Sequence, residues 1–419
     1  MPVAAQSFRL TPYMAPSALY VDADRFYNYN RYEKSRLELG LHWVTPNEMA
    51  EHPRVFIGQW TVKGYAAYGF GDKALKYGGT VQLRLPGRHD VRLSLRGYND
   101  LEAAASRTLE GYRMLKPDYN TSFLASRYVG VKGGRFDVSF MPSHSWTLSA
   151  GALMNWEDYR FDCIGNLLYP NAEPEKKAPV MRHMGVNARA EWSKGVILSV
   201  DAGRMVPVAD GDETRDFLRL LAQYNAEPGE MGLHLFAQAG FTTKGTPYSR
   251  MFDLSGTARS IYFFRNTFLT VMPYTFTANM FAHLCVNYTA PMPLWDTKWS
   301  QPQPFLQMNA MWGWLHGQDA DGRVELNDPA FGSGNTMLLQ SPYMGLVEMA
   351  TGFDGLLRWG LFDFGAGMAY QLCPTKAPYL NENPTDNFAF SLVATFILDK
   401  TPRQVPVTPT QPYTIIQNN

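Results

Sequence analysis

Residues 37–43 read LELGLHW, and this pattern decides the fold class. Every second residue is apolar, from Leu37 to Trp43, while a carboxylate, a glycine and an imidazole fall between them. A period of two is typical of a β-strand with one apolar and one polar face. The stretch therefore predicts a half-buried strand and gives the pattern to look for in the rest of the chain.

The same alternation recurs along the sequence. It is found in the stretches 81–85, 91–95, 136–140, 146–156, 186–192, 276–288 and 388–398. Turn signals such as Pro86-Gly87 and Gly133-Gly134 lie between them or at their ends. The pattern predicts on the order of sixteen antiparallel strands of about ten residues each. One helix, Asp100–Lys116, is predicted within a loop because this segment is rich in alanine and ends before Pro117.

Composition excludes several classes of protein. The chain has 419 residues, of which 45% are hydrophobic and 14% aromatic, and its 38 Lys plus Arg balance 38 Asp plus Glu. So many aromatic residues argue against disorder, and a neutral chain is not a general nucleic-acid binder. No run of about 20 apolar residues predicts a spanning helix. The three cysteines have neither disulfide-scaffold nor metal-site spacing.

The polar face of the strands distinguishes two all-β architectures. It mixes Arg, Asp, Glu, Asn, Gln, His and Gly, whereas the apolar face carries Trp, Tyr or Phe near its ends. Lipid-facing apolar bands with aromatic girdles and a polar lumen have this arrangement. The sequence therefore predicts a transmembrane antiparallel β-barrel of about 16 strands with long loops. A large soluble sandwich or propeller is the alternative.

Charged residues on the predicted lumen face form the candidate site. We expect them to pair with one another, because charges facing lipid would cost roughly 2–4 kcal/mol at the bilayer midplane. They would form an ordinary lumen network, set ion selectivity or hold a plug. The predicted lumen-facing polar network comprises Arg84, Arg92, Arg96, Asp137, Arg189, Glu191, Asp201 and His283.

Other constellations predict no catalytic, cofactor or metal site. His144 stands between two serines in a turn, where neighbouring residues do not form a catalytic triad. His283 and Cys285 share a strand face and are interpreted as polar lumen filling. Asp319 and Asp321 have calcium-loop spacing without the closing glutamate, which predicts a solvated acidic loop. We therefore expect neither an enzyme nor a cofactor.

Ordered motifs over most of the chain carry a family resemblance. They are Tyr29–Lys34, Tyr68–Lys73, Lys76–Gly78, Gly245–Tyr248, Phe268–Met272, Tyr274–Phe276 and Gly352–Asp354. With them the chain resembles a Bacteroidetes-type barrel family of unknown function that usually follows a carboxypeptidase-regulatory-like domain. That family is itself similar to the surface-antigen barrels of the outer-membrane assembly and translocation superfamily. The resemblance implies a barrel of about sixteen strands in the cell outer membrane.

The resemblance also sets the expected domain limits. Residues 1–28 would be an N-terminal extension left from a missing upstream region, 29–398 the barrel, and 399–419 a disordered tail rich in Pro and Thr. The last strand, 388–398, is expected to close the barrel against 37–43. The chain departs from the family at Asn279-Met280, where a charged pair is usual, and on the following strand.

The function implied by the resemblance is non-enzymatic. The protein would act in outer-membrane protein assembly or translocation, or as a membrane-anchored scaffold. Its partners would be outer-membrane lipid and outer-membrane or periplasmic proteins, and not nucleic acid. The polar lumen keeps open an alternative, a passive or plugged pore for small solutes. A barrel enzyme with catalytic groups at its rim is a third hypothesis without a supporting residue set.

Overall fold

The fold was analysed in a computed structural model of the chain. It describes residues 7–9, 18–22, 26–30, 32–45, 58–85, 87, 89–105, 127–160, 180–208, 214–227, 232–254, 256, 267–272, 275–327, 336–359, 362–372, 377–380 and 387–396.

Twenty-two strands make up almost all of the regular structure in these ranges. They are β1 (Ser7–Arg9), β2 (Ala18–Asp22), β3 (Tyr27–Asn30), β4 (Lys34–Val44), β5 (Gln59–Gly69), β6 (Ala74–Arg84), β7 (Arg92–Ala103), β8 (Tyr128–Ser143), β9 (Trp146–Arg160), β10 (Met181–Trp192), β11 (Val196–Pro207), β12 (Arg215–Ala226), β13 (Leu233–Thr242), β14 (Phe252–Asp253), β15 (Thr277–Ala278), β16 (Met280–Thr289), β17 (Gln303–Trp314), β18 (Arg323–Asn327), β19 (Thr336–Gln340), β20 (Leu346–Trp359), β21 (Phe362–Leu372) and β22 (Phe388–Phe396). A single 3-10 turn, Tyr248–Arg250, is the helical element of the described residues.

Eighteen of these strands form one antiparallel sheet in which sequence neighbours pair. β2 and β3 lie end to end along one edge of β4, and β5 lies along the other. Sixteen strand positions therefore run from β2–β3 to β22, with the short β1 outside β2. The predicted all-β, antiparallel fold of about sixteen strands is confirmed.

The polarity of the two sheet faces is opposite to that of a soluble protein, because the exposed face is apolar and the buried face is polar. Large apolar side chains are exposed on one face, for example Leu95 at 61% and Val186 at 59%. Polar side chains are buried on the other, such as Asn309 and Glu348 at 0%. An apolar outer surface around a polar interior is the arrangement of a membrane-spanning barrel. No helix among the described residues is long and apolar enough to cross a membrane.

The connections fall at two ends of the sheet. The turns 144–145 and 193–195 lie at one end, here called the turn end, where β2 begins and β22 finishes. The connections 104–127, 243–279 and 315–345 lie at the opposite end, here called the loop end. Residues of these long connections at the loop end lie inside the barrel.

Two expectations about elements change. Asp100–Ala103, predicted as the start of a helix, belong to β7 and pair with Tyr128–Val131 of β8. The hydrogen bonds of the sheet outweigh the local helix propensity of these residues. The later part of the predicted helix, residues 106–116, lies outside the described residues. The predicted closure of 388–398 against 37–43 is wrong, because both edges of β4 are already paired.

Strand pairing extends into the segment expected to be an N-terminal extension. β1 and β2 fall within residues 1–28, the expected extension, and they pair into the main sheet. The sheet therefore begins ahead of residue 29. The predicted tail, 399–419, lies outside the described residues.

Candidate functional site

The connection between β13 and β16 turns into the barrel and contacts inner-face side chains. Its described parts, residues 243–254, 256, 267–272 and 275–279, are here called the inner segment. Phe252, Leu254 and Phe268 are each 0% exposed and pack with side chains of β12, β16, β17 and β20. The inner segment is therefore a plug rather than a solvent loop.

Arg250 anchors the first part of the inner segment. Its guanidinium bonds to Oε1 of Glu157 on β9, and its Nη2 atom lies 3.0 Å from Nδ1 of His183 on β10. The same His183 nitrogen is 3.0 Å from Glu157 Oε1, and both wall residues are buried. A buried carboxylate needs such a cation, because an unpaired charge in this environment is costly.

Glu348 on β20 anchors the second part. Its carboxylate accepts the backbone N–H of Leu269 at 2.9 Å and of Thr270 at 2.8 Å, and the Thr270 hydroxyl at 2.6 Å. Asn309 and Gln307 on β17 donate side-chain N–H groups to the Thr267 carbonyl at 2.7 and 3.1 Å. The barrel wall thus forms hydrogen bonds with both N–H and C=O groups of the backbone at residues 267–270.

Two wall glycines provide the room that the plug needs. A Cβ atom on Gly240 would lie 2.4 Å from the Phe281 ring and 2.6 Å from the Phe252 ring. A Cβ atom on Gly313 would lie 2.5 Å from Leu254. Side chains at these two wall positions would therefore displace the inner segment or its neighbours.

An apolar cluster lies inside the barrel toward the loop end. Tyr248 and Met251 of the inner segment pack with Leu315 and with Met337 and Leu339 of β19. Wall residues of β7, β8, β10, β11 and β12 complete the same cluster. Packed apolar contacts of this kind leave little room for water between these side chains.

A buried ionic network lies on the inner face of the first strands. Arg36 on β4 contacts Asp100 at 2.6 Å, Glu38 at 2.8 Å and Glu33 at 3.5 Å. Lys76 joins it through Glu33 at 2.6 Å. These side chains link β4 to β6 and β7 across the inside of the sheet and restrain its curvature.

The predicted lumen residues of β6 and β7 lie in two groups. Arg84 and Arg92 both bond to Asp90 in the intervening turn. Arg96 is exposed, and its guanidinium lies 5.0 Å from the centre of the Tyr98 ring. The structure therefore places the first two at the turn end and the third farther along the inner face.

The remaining predicted charges form three separate pairs. Asp137 accepts from Arg135 at 2.7 Å on β8, and Arg189 donates to Glu191 at 3.0 Å on β10. Arg219 on β12 donates to Asp201 on β11 at 3.4 Å. Charges on the inner face are thus paired locally.

His283 lies apart from these charges. It is buried between the rings of Phe236 and Phe268, at centroid distances of 5.7 and 5.5 Å. Cys285, two residues along the same face, is a buried cysteine whose Sγ atom accepts a hydrogen bond from the Asn287 amide at 3.3 Å. Across the described ranges no group of three His, Cys, Asp or Glu residues could hold a metal ion. Asp319 caps its own turn by accepting the N–H groups of Asp321 and Arg323.

The plug anchors were missed at the sequence level. Glu157, Arg250 and Glu348 lie outside the stretches that were interpreted from alternation or family motifs, and the contacts of Arg250 with Glu157 and of Glu348 with residues 269–270 join positions 78 to 93 apart. The available signal was a carboxylate among apolar neighbours, such as Glu348 between Val347 and Met349.

Comparison with known proteins gives a fold likeness. No family model matches the chain, and no curated protein matches it. Among solved structures it is similar to BamA from Haemophilus ducreyi lacking POTRA domains 1–3, with a TM-score of 0.50 and 9% identity over 94% of this chain and 75% of that one.

Two further solved structures have lower scores. CdiB from Acinetobacter baumannii gives a TM-score of 0.38 at 9% identity, over 86% of this chain and 57% of that chain. CdiB from Escherichia coli gives 0.37 at 11% identity, over 92% and 64%. This chain spans less than two thirds of either CdiB chain.

The likeness to BamA and the inverted polarity of the sheet agree. The protein has the fold of an outer-membrane β-barrel, with an apolar surface that faces lipid and a polar interior occupied by the inner segment. The predicted fold and outer-membrane location are confirmed at this level. The resemblance to the Bacteroidetes-type family and its upstream domain stays a prediction.

Proposed function

We propose that the protein is a non-enzymatic outer-membrane barrel that acts with protein partners in outer-membrane protein assembly or translocation. The observation that supports this proposal is the inner segment, which is bonded to both β9–β10 and β20 and packs against inner-face side chains. A pore for diffusing solutes needs an open passage. A segment of the chain anchored inside the barrel narrows such a passage and favours a role that depends on protein partners.

A plugged pore for small solutes is the second candidate. The charged inner face of β6–β12 favours it, because rings of charged side chains are used for ion selectivity. Movement of the inner segment would then open a passage for solutes instead of serving a protein partner.

Single-channel recording in planar bilayers separates the two candidates. For the proposed function we expect the full-length protein to be silent or to open only briefly. Gly240→Leu, which crowds Phe252, should raise the frequency of openings, and Ala239→Leu on the lipid-facing side of the same strand is the matched control. A steady, ohmic conductance of the unaltered protein would favour the solute pore.

Depletion in the native host tests the role directly. Loss of the protein should lower the folded amount of at least one other outer-membrane or exported protein, seen as loss of its heat-modifiable band. Normal levels of all such proteins, together with reduced uptake of a small solute, would overturn the proposal.

A further inference from the structure

We infer that Glu348, Asn309 and Gln307 form a backbone-binding site on the lumen wall for a bent polypeptide segment, and that residues 267–272 are its internal occupant. The three side chains are here called the wall site. The inference deepens the proposed function and rests on it, since it names the chemistry by which the lumen would hold a protein partner.

The contacts of the wall site are directed at backbone atoms. Glu348 accepts two consecutive N–H groups, from Leu269 and Thr270, while the two amide side chains donate to the carbonyl of Thr267. The Thr270 hydroxyl adds a hydrogen bond from a side chain. The backbone bends at residues 269–271, which lets two consecutive N–H groups reach one carboxylate, so the site recognises a bent chain largely by its backbone groups.

The wall site also has unused bonding capacity. Gln307 is 1% exposed and Asn309 is 0% exposed. Neither the Gln307 Oε1 atom nor the Asn309 Oδ1 atom has a hydrogen-bond partner within the described ranges. Buried polar atoms are nearly always bonded, so these two acceptors point to further N–H donors.

A small apolar pocket gives the wall site a preference for an aliphatic side chain. Leu269 is 2% exposed and packs against Phe305, Ala350 and Ala369 on three neighbouring strands. The residue whose N–H reaches Glu348 therefore places its side chain in a closed apolar space. The favoured ligand is a bent segment with an aliphatic residue followed by Thr or Ser, because the hydroxyl of the second residue reaches the same carboxylate.

The occupant is held by interactions that another chain can reproduce. The Glu348 carboxylate accepts hydrogen bonds from N–H and O–H groups of the inner segment and from the amide of Asn309. An incoming chain offers the same N–H groups, so exchange leaves no buried carboxylate without donors. Residues 267–272 therefore act as a replaceable internal ligand.

Peptide binding to the detergent-solubilised full chain tests the wall site. The probe is a fluorescein-labelled hexapeptide with the sequence of Thr267–Met272, and its control is the same peptide N-methylated at the Leu269 and Thr270 positions. Leu269→Ala in the protein weakens the internal occupant without altering the wall. We expect this variant to bind the peptide at least about tenfold more tightly than the unaltered protein does.

The backbone contacts predict the other outcomes. The N-methylated peptide should not bind, and adding Glu348→Gln to Leu269→Ala should abolish binding, whereas adding Gln238→Asn, a lumen amide on β13, should not. If the Glu348→Gln variant does not fold, as shown by the absence of a heat-modifiable band, the test rests on the Leu269→Ala variant. The comparison is then between its binding of the N-methylated peptide and its binding of the unmodified peptide. Equal binding of both peptides, or none to Leu269→Ala, would overturn the inference. If the channel is silent and the peptide does not bind, the inference about the wall site is rejected and the proposed function is retained.

Discussion

Glu157 shows how a single residue can decide whether the plug is held. It is fully buried and its partners are His183 and Arg250, so its charge is tolerated only while the inner segment is in place. Breaking a buried pair on one side typically costs about 3–5 kcal/mol, because it leaves a charge without its partner. The double change is less harmful, since neither charge remains.

We therefore expect Arg250→Met to lower the free energy of unfolding by about 3–5 kcal/mol. The double variant Glu157→Gln with Arg250→Met should recover much of that loss. Urea unfolding in lipid vesicles measures both. Arg204→Ala, which removes an exposed ion pair with Asp216, is the control and should leave the unfolding midpoint unchanged. Equal losses for the single and double variants would show that Arg250 does not act through Glu157.

Asp90 predicts a pH dependence in the turn between β6 and β7. Burial acts to raise its pKa, but hydrogen bonds from Arg92 and Arg84 outweigh burial and hold that pKa below its usual value. A carboxyl whose pKa is lowered on folding stabilises the protein above its unfolded pKa, about 3.9, and loses this contribution as the pH falls through the folded value. Asp90→Asn should lower the urea midpoint at pH 7, and the difference from the unaltered protein should vanish in strong acid. Asn tolerates the positive φ of 42° at this position, so a difference that persists in acid would indicate backbone strain instead.

At the scale of the strand, β7 offers adjacent residues on opposite faces. Leu95 is 61% exposed on the lipid side, whereas Ser94 stands opposite Asp137 on the inner side. Leu95→Arg should reduce folding into lipid vesicles, because a lipid-facing cation near the midplane costs about 2–4 kcal/mol. Ser94→Arg gains a carboxylate neighbour and should fold nearly as well as the unaltered chain. The heat-modifiable fraction on gels reports the yields, and similar yields for the two variants would reverse the assigned faces.

Strands were predictable where alternation was long, and the inner segment was not. The stretch 37–43 gave the correct strand and face because every apolar residue in it meets lipid. The stretch 276–288 was read as one strand, yet Phe276 and Ala278 are buried inside the barrel and β16 begins only at Met280. Alternation records which residues avoid water, and it does not separate a lipid-facing side chain from one packed in a plug. Contacts such as Leu269 to Glu348 depend on curvature of the whole sheet, which a local pattern does not contain.

At the scale of the whole molecule, the lumen has two unlike sides. The inner face of β4–β12 carries the paired charges, several of which were predicted from the sequence as a polar network. The inner face of β13–β20 carries amides, His283 and Glu348, and this side holds the second part of the inner segment, whereas Arg250 in its first part bonds to Glu157 on β9. Net charge and composition average over both sides, so they predicted a polar lumen but not its division.

The pairing of β22 with β21 predicts which part of the C-terminal region the barrel requires. β22 pairs with β21 from Phe388 to Phe396 and exposes Phe390 and Leu392 toward lipid. A chain that stops after Leu398 should therefore fold, since all sixteen strand positions are present. A chain that stops after Asn387 should not insert, because it leaves the backbone groups of β21 unpaired in lipid, each at a cost of several kcal/mol. Heat-modifiable migration after refolding into vesicles measures both. Loss of the compact band in the longer truncation would mean that residues beyond Leu398 contribute to the barrel.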